Sequence, residues 1–464
     1  MRTPELKNDL TEGSLTRAML RFTIPLVIAN ILQSLYGAVD LFVIGKYCSV
    51  QSVAAVATGT QVTEIITCLM AGLTTGSTIL IGGYIGSRDR DSAKRAIGTT
   101  FSAFFVVSLF LTAVMLLFGR DLLTVLGTRD EAFRPAWAYI SVCALGNVFI
   151  CEYNAVSAVL RGCGDSERPM LFVAVACVFN IFLDVLFVKY FHLDVVGTAL
   201  ATVLSQGISM ILSLIYLRKH SFLFDFRLRS FRPDRRIIKR LARIGIPISF
   251  QSSMVRISFL YITTMMNNCG VAAEAIVGIG AKYDVFAMLT STSMADGLTA
   301  MTAQNIGAGK PRRARQALWR CLTVSVAVSS VFFLWAQLNP ESMIRAFYTD
   351  PEVIRTGVPY FRTCSYDYLM TAFVFCLNGY LNGRQKTGWT MVSTSLGALL
   401  LRIPLTWYVS SRFTGDLGRL GMVAPAVSAI MAAYTLAYVL WEGRHSVPGG
   451  GGSDAGSGRI VTDM

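Results

Sequence analysis

GSTILIGGYIG, residues 76–86, and GLTAMTAQNIG, residues 297–307, are one stretch written twice. Gly76, Thr78, Ile85 and Gly86 return as Gly297, Thr299, Ile306 and Gly307 at a shift of 221 residues, and just beyond them Ala93 and Ala96 return as Ala314 and Ala317. The same shift carries Leu160, Gly162 and Met170 onto Leu381, Gly383 and Met391, while Ile24-Pro25 reappears as Ile246-Pro247 with a slip of one residue. Scattered identities mean little in so biased a composition, but separate blocks sharing one offset mark a duplication. Both copies are strongly apolar. The repeated unit is therefore a membrane bundle, and internally repeated bundles are the usual plan of secondary transporters.

Of the 464 residues, 53% are hydrophobic and only 15% charged, against about 25% charged in a soluble domain. A spanning helix needs roughly 20 apolar residues. Twelve runs qualify, centred near residues 33, 69, 106, 147, 179, 206, 255, 289, 325, 369, 400 and 430, six in each copy. The fold expected is an all-α membrane protein of twelve transmembrane helices in two six-helix lobes. Six is even, so both copies insert in the same sense and a pseudo-twofold axis runs along the membrane normal. The chain divides into an N-terminal tail (1–13), a first lobe (14–217), a basic linker (218–241), a second lobe (242–443) and a Gly- and Ser-rich C-terminal stretch (444–464) that reads as flexible. The apolar run from Leu20 to Gly45 is too long for a signal-peptide core, so the first helix is expected to stay in the protein.

The formal net charge is +14. Its distribution argues for topology rather than nucleic acid. Alternating twelve spans puts Arg2, Lys7, Arg88, Arg90, Lys94, Arg95, Lys310, Arg312, Arg313 and the run from Arg218 to Arg243 on one side. That is the positive-inside pattern of a multi-pass protein of the cell membrane with both termini cytoplasmic. In the linker, Phe222, Leu223, Phe224, Phe226 and Leu228 interleave with the basic residues, which fits either an amphipathic stretch lying on anionic lipid or a solvated connection. The ten cysteines show no paired spacing, and His192, His220 and His445 fall in loops or the tail, so no metal or other cofactor is expected. Gly82-Gly83-x-x-Gly86 lacks the Lys-Ser/Thr of a phosphate cradle.

An ionised side chain at the bilayer centre costs at least about 2.5–3.5 kcal/mol and is a functional candidate by default. Asp40 lies late in the first span and Asp184 deep in the fifth, with Asn180 four residues before it on the same helix face. Thr202 and Ser205 lie in the sixth span, tied to the fifth by a short connection, and Asn154 lies in the fourth. Asp40, Asn180, Asp184, Thr202 and Asn154 form the candidate cation-binding set. Hard oxygen donors suit Na⁺, and two close carboxylates also share a proton, so H⁺ and Na⁺ both fit. The alternative is that these groups only hydrogen-bond helices together. The second copy lacks the set: Asn180 maps to Leu401 and Asp184 to Leu405. It has Arg256, Lys282, Asp284, Asp296, Asp367 and Arg402 instead. Lys282, Asp284 and Arg402 read as substrate-cavity wall or as helix-joining ion pairs. Met254, among the methionines of the second half, reads as an adaptable cavity wall or plain filler. Pro25 and Pro247 stand early in the first and seventh spans, as hinges or fixed bends.

These residues carry a pattern that resembles the multidrug and toxic compound extrusion (MATE) family over about residues 14–443. The carrying motifs are Ile24-Pro25 with Asp40-x-x-x-Ile44-Gly45, Val53-Ala54-Ala55, Leu160-Arg161-Gly162-x-Gly164-Asp165, Asn180-Ile-x-x-Asp184, Gly197-x-Ala199-x-Ala201-Thr202, Gln304-Asn305-Ile306-Gly307-Ala308-Gly309 and Arg402-Ile403-Pro404. The resemblance implies a V of two lobes around a central cavity, exporting organic cations and drugs in exchange for H⁺ or Na⁺, with the chain acting as a monomer. It also implies a first-lobe cation site at Asp40, Asn180, Asp184 and Thr202, with Tyr36, Tyr139 and Asn154 lining the same lobe. The branch with acidic residues on the seventh and tenth spans fits less well, since Arg256 stands in the seventh and Asp367 sits about a turn early on the tenth. A flippase for lipid-linked sugars would call for extra spans or a strongly cationic cavity. A membrane transferase would call for an Asp-x-x-Asp pair at the cytoplasmic surface. The sequence shows neither.

Overall fold

The computed structural model describes residues 9–219, 224–267, 269, 271–413 and 415–445. Arg2, Lys7, His220, Phe222, Leu223 and the C-terminal stretch 446–464, expected to be flexible, lie outside the described residues. All regular elements among the described residues are helical. The first lobe contains α1 (Leu15–Tyr47), α2 (Val50–Gly86), α3 (Arg90–Val125), α4 (Asp130–Gly162), α5 (Glu167–Asp184) and α6 (Asp194–Lys219). The second contains α7 (Arg235–Asn267), α8 (Val271–Gly307), α9 (Pro311–Leu338), a short α10 (Pro340–Arg345), α11 (Pro351–Cys364) running into α12 (Tyr366–Gly383), α13 (Thr387–Leu396) continued by α14 (Ile403–Arg412), and α15 (Leu417–Gly421) running into α16 (Val423–His445). Grouped this way they make the twelve crossings expected. Among the described residues, nine of these helices or helix pairs are long and apolar enough to cross a membrane by composition alone. The other three, α7, α8 and α11–α12, are the ones that carry Arg256, Lys282, Asp284 and Asp367. Local chemistry sets the turns between crossings. Asp89 caps α3 by accepting from the Ser92 amide at 3.0 Å, and Pro311 and Pro351 occupy first-turn positions of α9 and α11.

The duplication read in the sequence is also a symmetry of packing. Thr78 Oγ1 donates to the Ala158 carbonyl at 3.2 Å, and its repeat Thr299 donates to the Gly379 carbonyl at 3.0 Å. Gly162 packs on Ile81 and the Thr78 carbonyl, and Gly383 packs on Thr302 and the Thr299 carbonyl. Between the lobes the correspondence becomes reciprocal. A Cβ on Gly86 would stand 2.0 Å from the Gln304 carbonyl oxygen, and one on Gly307 would stand 2.1 Å from that of Gly83. Residues 83 and 86 are the repeats of 304 and 307, so α2 and α8 cross at a self-complementary contact on the pseudo-twofold axis. Gly76 against Gly245 and Gly297 against Thr23 form a second such pair. At Gly76, Gly86 and Gly307 only glycine lets the backbones approach this closely, the usual device of helix packing in lipid.

These contacts lie toward one end of the molecule, the end bearing the basic turns after α2 and α8. There Gln304 donates to the Gly162 carbonyl at 2.8 Å. The segment before α1 is clasped by the second lobe: Asn305 and Arg313 donate to the Leu10 carbonyl, Lys310 to that of Thr11, and Arg313 to those of Glu12 and Gly13. Leu10 is buried with Met294 and Met301 in the second-lobe core. Moving away from this end, Ser249 donates to the Leu69 carbonyl, Asn30 to Ser293, and Arg256 pairs with Glu64. Among the described residues, no lobe-joining hydrogen bond lies beyond that rung. The stretch of α2 from Val50 to Glu64 spans about 21 Å.

Candidate cation-coupling site

Three helices of the first lobe bring the candidate residues together. Only Phe191 to Leu193 separate the end of the fifth crossing from α6, so these helices are antiparallel neighbours. Gly197 lets α6 begin close against Phe187, where a Cβ would meet the Phe187 Cβ at 3.0 Å. Immediately after Asp184 the α5 helix widens into a π-helical turn, Val185–Tyr190, a distortion that recurs at functional sites. Asp194 then fixes the start of α6 to α2 by accepting from Ser52 Oγ at 2.9 Å.

Asp40 is 5% exposed, and Asn180 and Asp184 are fully buried. Thr202 Oγ1 donates to Asp40 Oδ2 at 3.3 Å, and Asn180 and Asp184 are the other polar neighbours of the Asp40 carboxyl. Tyr36, one turn before Asp40, donates to the Thr202 carbonyl at 3.1 Å and shares a short hydrogen bond with Ser205 Oγ. Among the described residues, Asp40 Oδ1, both Asp184 oxygens and both polar atoms of the Asn180 side chain have no hydrogen-bond partner. No basic side chain among the described residues acts on either carboxyl. Two unit negative charges about 4 Å apart at an effective dielectric near 20 repel by about 4 kcal/mol. The cluster thus leaves the oxygens of Asp40, Asp184 and Asn180 without a compensating positive charge among the described residues. Among the described residues no three His, Cys, Asp or Glu side chains converge as a metal site. The donor set here is two carboxyls, an amide and hydroxyls, the chemistry of an alkali cation or a proton rather than a transition metal.

The remaining candidates divide. Tyr139 is buried, lays its ring over Gly59 and lies within the field of Asp40. Asn154 donates to the Ile150 carbonyl of its own helix at 2.9 Å and does not join the cluster's hydrogen bonds. Pro25 is buried within an unbroken α1. In the second lobe Met254 is half-buried and Lys282 exposed. Asp284 and Asp367 border a cavity of about 60 Å³ with Tyr360 and Cys364. Arg402 ends a second π-helical turn, Gly397–Arg402. It donates to Ser258 at 3.2 Å and Ser428 at 3.3 Å, stacks 4.4 Å from the Phe259 ring and compensates Asp367. Asp296 faces the charge of Arg161 across the lobes.

The MatE family model matches residues 25–186 and, a second time, residues 247–408. The chain belongs to the MatE family. The two matches are the two halves of the repeat, six spans apart. Relatives of this family member include the probable multidrug resistance protein YoeA of Bacillus subtilis (strain 168), 25% identical over 414 residues, with 88% of this chain and 89% of the relative covered. The multidrug export protein MepA of Staphylococcus aureus (strain MSSA476) is 23% identical over 428 residues, with 91% and 94% covered. Among solved structures, a MATE in the bent conformation superposes with a TM-score of 0.89 at 22% identity, covering 95% of this chain and 98% of that one.

Three partners in this MatE fold escaped the sequence reading. Glu64 answers Arg256 across the lobes, and the signal was available, since a lone arginine in a span demands an anion nearby. Ser258 and Ser428 answer Arg402. Serines are too common in apolar helices to stand out before the helices are placed.

Proposed function

We propose that this chain is a multidrug antiporter in which entry of H⁺ or Na⁺ at the Asp40–Asp184 pair drives export of organic cations. One observation carries the reading. A buried pair of carboxyls with no basic partner among the described residues is built into one lobe of a duplicated fold, ten residues along α1 beyond the Asn30–Ser293 bond that joins the lobes. The relatives' names, multidrug resistance and multidrug export, agree with it. Read with the positive-inside pattern, the joined, basic end and both termini lie in the cytoplasm in this scheme, so this conformer is the one closed on the cytoplasmic side.

In this scheme the coupling ion is cargo. It enters from outside, binds the oxygens of Asp40, Asp184, Asn180 and Thr202, and neutralises their repulsion. The gain goes to the conformer in which α1 draws toward α5 and α6, and Tyr36, bonded to the same stretch of α6, moves with it. A tenfold bias between conformers requires about 1.4 kcal/mol of differential ion binding. Pro25 is the proposed pivot, because it lacks the amide that would otherwise hold α1 straight. The moving bodies are residues 14–217 and 242–443. Tyr36, Tyr139, Met254, Lys282, Asp284 and Arg402 border the cargo path in this scheme, Arg402 being also hydrogen-bonded to Ser258 and Ser428.

The test is efflux of a fluorescent organic cation from proteoliposomes under a pH gradient and a Na⁺ gradient imposed separately. Transport under at least one gradient is expected, and it identifies the ion. Transport of anionic or neutral dyes without cations, or none under either gradient, contradicts the proposal.

A further inference from the structure

The linker between the lobes is folded back rather than laid out as an amphipathic stretch. Phe224, Phe226 and Phe231 gather around Phe101 of α3, with ring centroids 6.2, 6.3 and 5.9 Å away. Phe224 stacks edge-on against both of the others at 5.1 Å. The backbone is clamped as well. Ser102 donates to the Phe231 carbonyl, the Asp234 amide donates to Thr99 Oγ1 at 3.1 Å, and the Ser230 carbonyl oxygen lies 2.0 Å from where a Cβ on Gly98 would stand. With its aromatic side buried against α3, the linker turns its basic side outward.

That basic side closes a hollow of about 670 Å³ against the first turns of α3, lined by Lys94, Arg95, Arg229 and Arg232 with Asp225 and Asp234. Both carboxylates are already engaged. Asp225 accepts from Ser230 and lies 3.8 Å from Arg227. Asp234 accepts from the Arg236 amide and lies 3.8 Å from Arg95. Among the described residues Lys94, Arg229 and Arg232 have no ion-pair partner. Arginine forks with an adjacent lysine match the geometry of a phosphate.

The neighbouring surface points to the source of that phosphate. Gly98, Ser102, Phe105 and Leu109 follow one another at helical spacings of three and four, so they share one face of α3. Where the linker stops covering this face, Phe105 and Leu109 emerge 48% and 49% exposed. The hollow thus sits at the foot of an apolar track facing the lipid. We infer that it holds the phosphate headgroup of an anionic phospholipid of the basic-side leaflet, with the acyl chains along Phe105 and Leu109. Such a lipid would touch both α3 of the first lobe and the segment leading into α7 of the second.

The test is native mass spectrometry of the full-length protein in detergent, titrated with phosphatidylglycerol, phosphatidylcholine or inorganic phosphate. Wild type should retain one phosphatidylglycerol at least about tenfold more tightly than phosphatidylcholine, whose headgroup carries the same phosphate but adds a quaternary ammonium that the basic residues repel. R229Q/R232Q should abolish that preference, while R88Q/R90Q, at the adjacent basic turn outside the hollow, should leave it intact. Equal retention of the two lipids by wild type, an undiminished preference in R229Q/R232Q, or equal loss in R88Q/R90Q would each overturn the assignment. Displacement of the lipid by inorganic phosphate at equal concentration would show that the hollow takes free phosphate, and would overturn the lipid reading.

Discussion

A methyl group on Gly307 would stand 2.1 Å from the Gly83 carbonyl oxygen, where ordinary contact begins at 3.4 Å. Gly307→Ala therefore has to push α8 away from α2 by about 1 Å at the joined end, and overpacking of this kind costs about 1–3 kcal/mol. The cost falls only on the conformer in which that end is closed. Alanine also favours helix over glycine by about 1 kcal/mol, but α8 is helical in either conformer, so that gain cancels. The equilibrium should move toward opening of the joined end by about 5–150-fold, and further when Gly86→Ala is added at the reciprocal contact. The assay is a pulsed electron–electron distance measurement between spin labels at Ser87 and Arg312, exposed residues on either side of the contact. Its background has Cys48, Cys68 and Cys269 replaced by serine, because the other cysteines are buried. A second, longer distance should grow in the single variant and dominate in the double. An unchanged distribution in both, with the protein folded, would refute the reading of this crossing as the closed gate.

Arg313→Ala removes donors to the carbonyls of Leu10, Glu12 and Gly13. Amide exchange at residues 10–14 should quicken roughly 5- to 30-fold for a loss of about 1–2 kcal/mol, and unchanged exchange would mean the clasp carries no stability. Arg402→Met strands the buried Asp367, at about 3–5 kcal/mol, while Asp367→Asn with Arg402→Met should recover most of the melting temperature. Equal losses in the single and double variants would count against the pair. Thr202→Val removes the hydroxyl 3.3 Å from Asp40, and the ion concentration for half-maximal efflux should rise roughly 2- to 10-fold, as for one hydrogen bond. No change would separate Thr202 from the site.

The duplication was legible because glycines and threonines needed for close helix crossings cannot drift without separating the helices, so Gly86 and Gly307 stay in step. The sequence does not say that they meet, since one offset suits lobes in contact and lobes apart. The cluster of Asp40, Asn180, Asp184 and Thr202 was legible because charge is costly in lipid and Asn180 and Asp184 must share a face. Asn154 looked equivalent by residue type, and its amide nitrogen donates to the Ile150 carbonyl one turn back, a local bond that polarity alone does not reveal and that leaves its oxygen free of that bond. The linker misleads for a similar reason. Alternating aromatic and basic residues suit a lipid surface and a protein groove alike, and Gly98, whose missing side chain admits the Ser230 carbonyl, decides between them only once the fold is known.

The central claim is that the coupling ion is held by the Asp40 and Asp184 carboxyls. The most direct test compares wild type, Asp40→Asn and Asp184→Asn in proteoliposomes by gradient-driven efflux of a fluorescent organic cation, with binding of the same dye to the purified proteins alongside. Asparagine keeps the shape and removes the charge, so both variants should fold and bind dye while coupled efflux falls to the level of protein-free vesicles. Wild-type efflux rates in both variants would contradict the account and move the site to the second-lobe acids Asp284, Asp296 and Asp367.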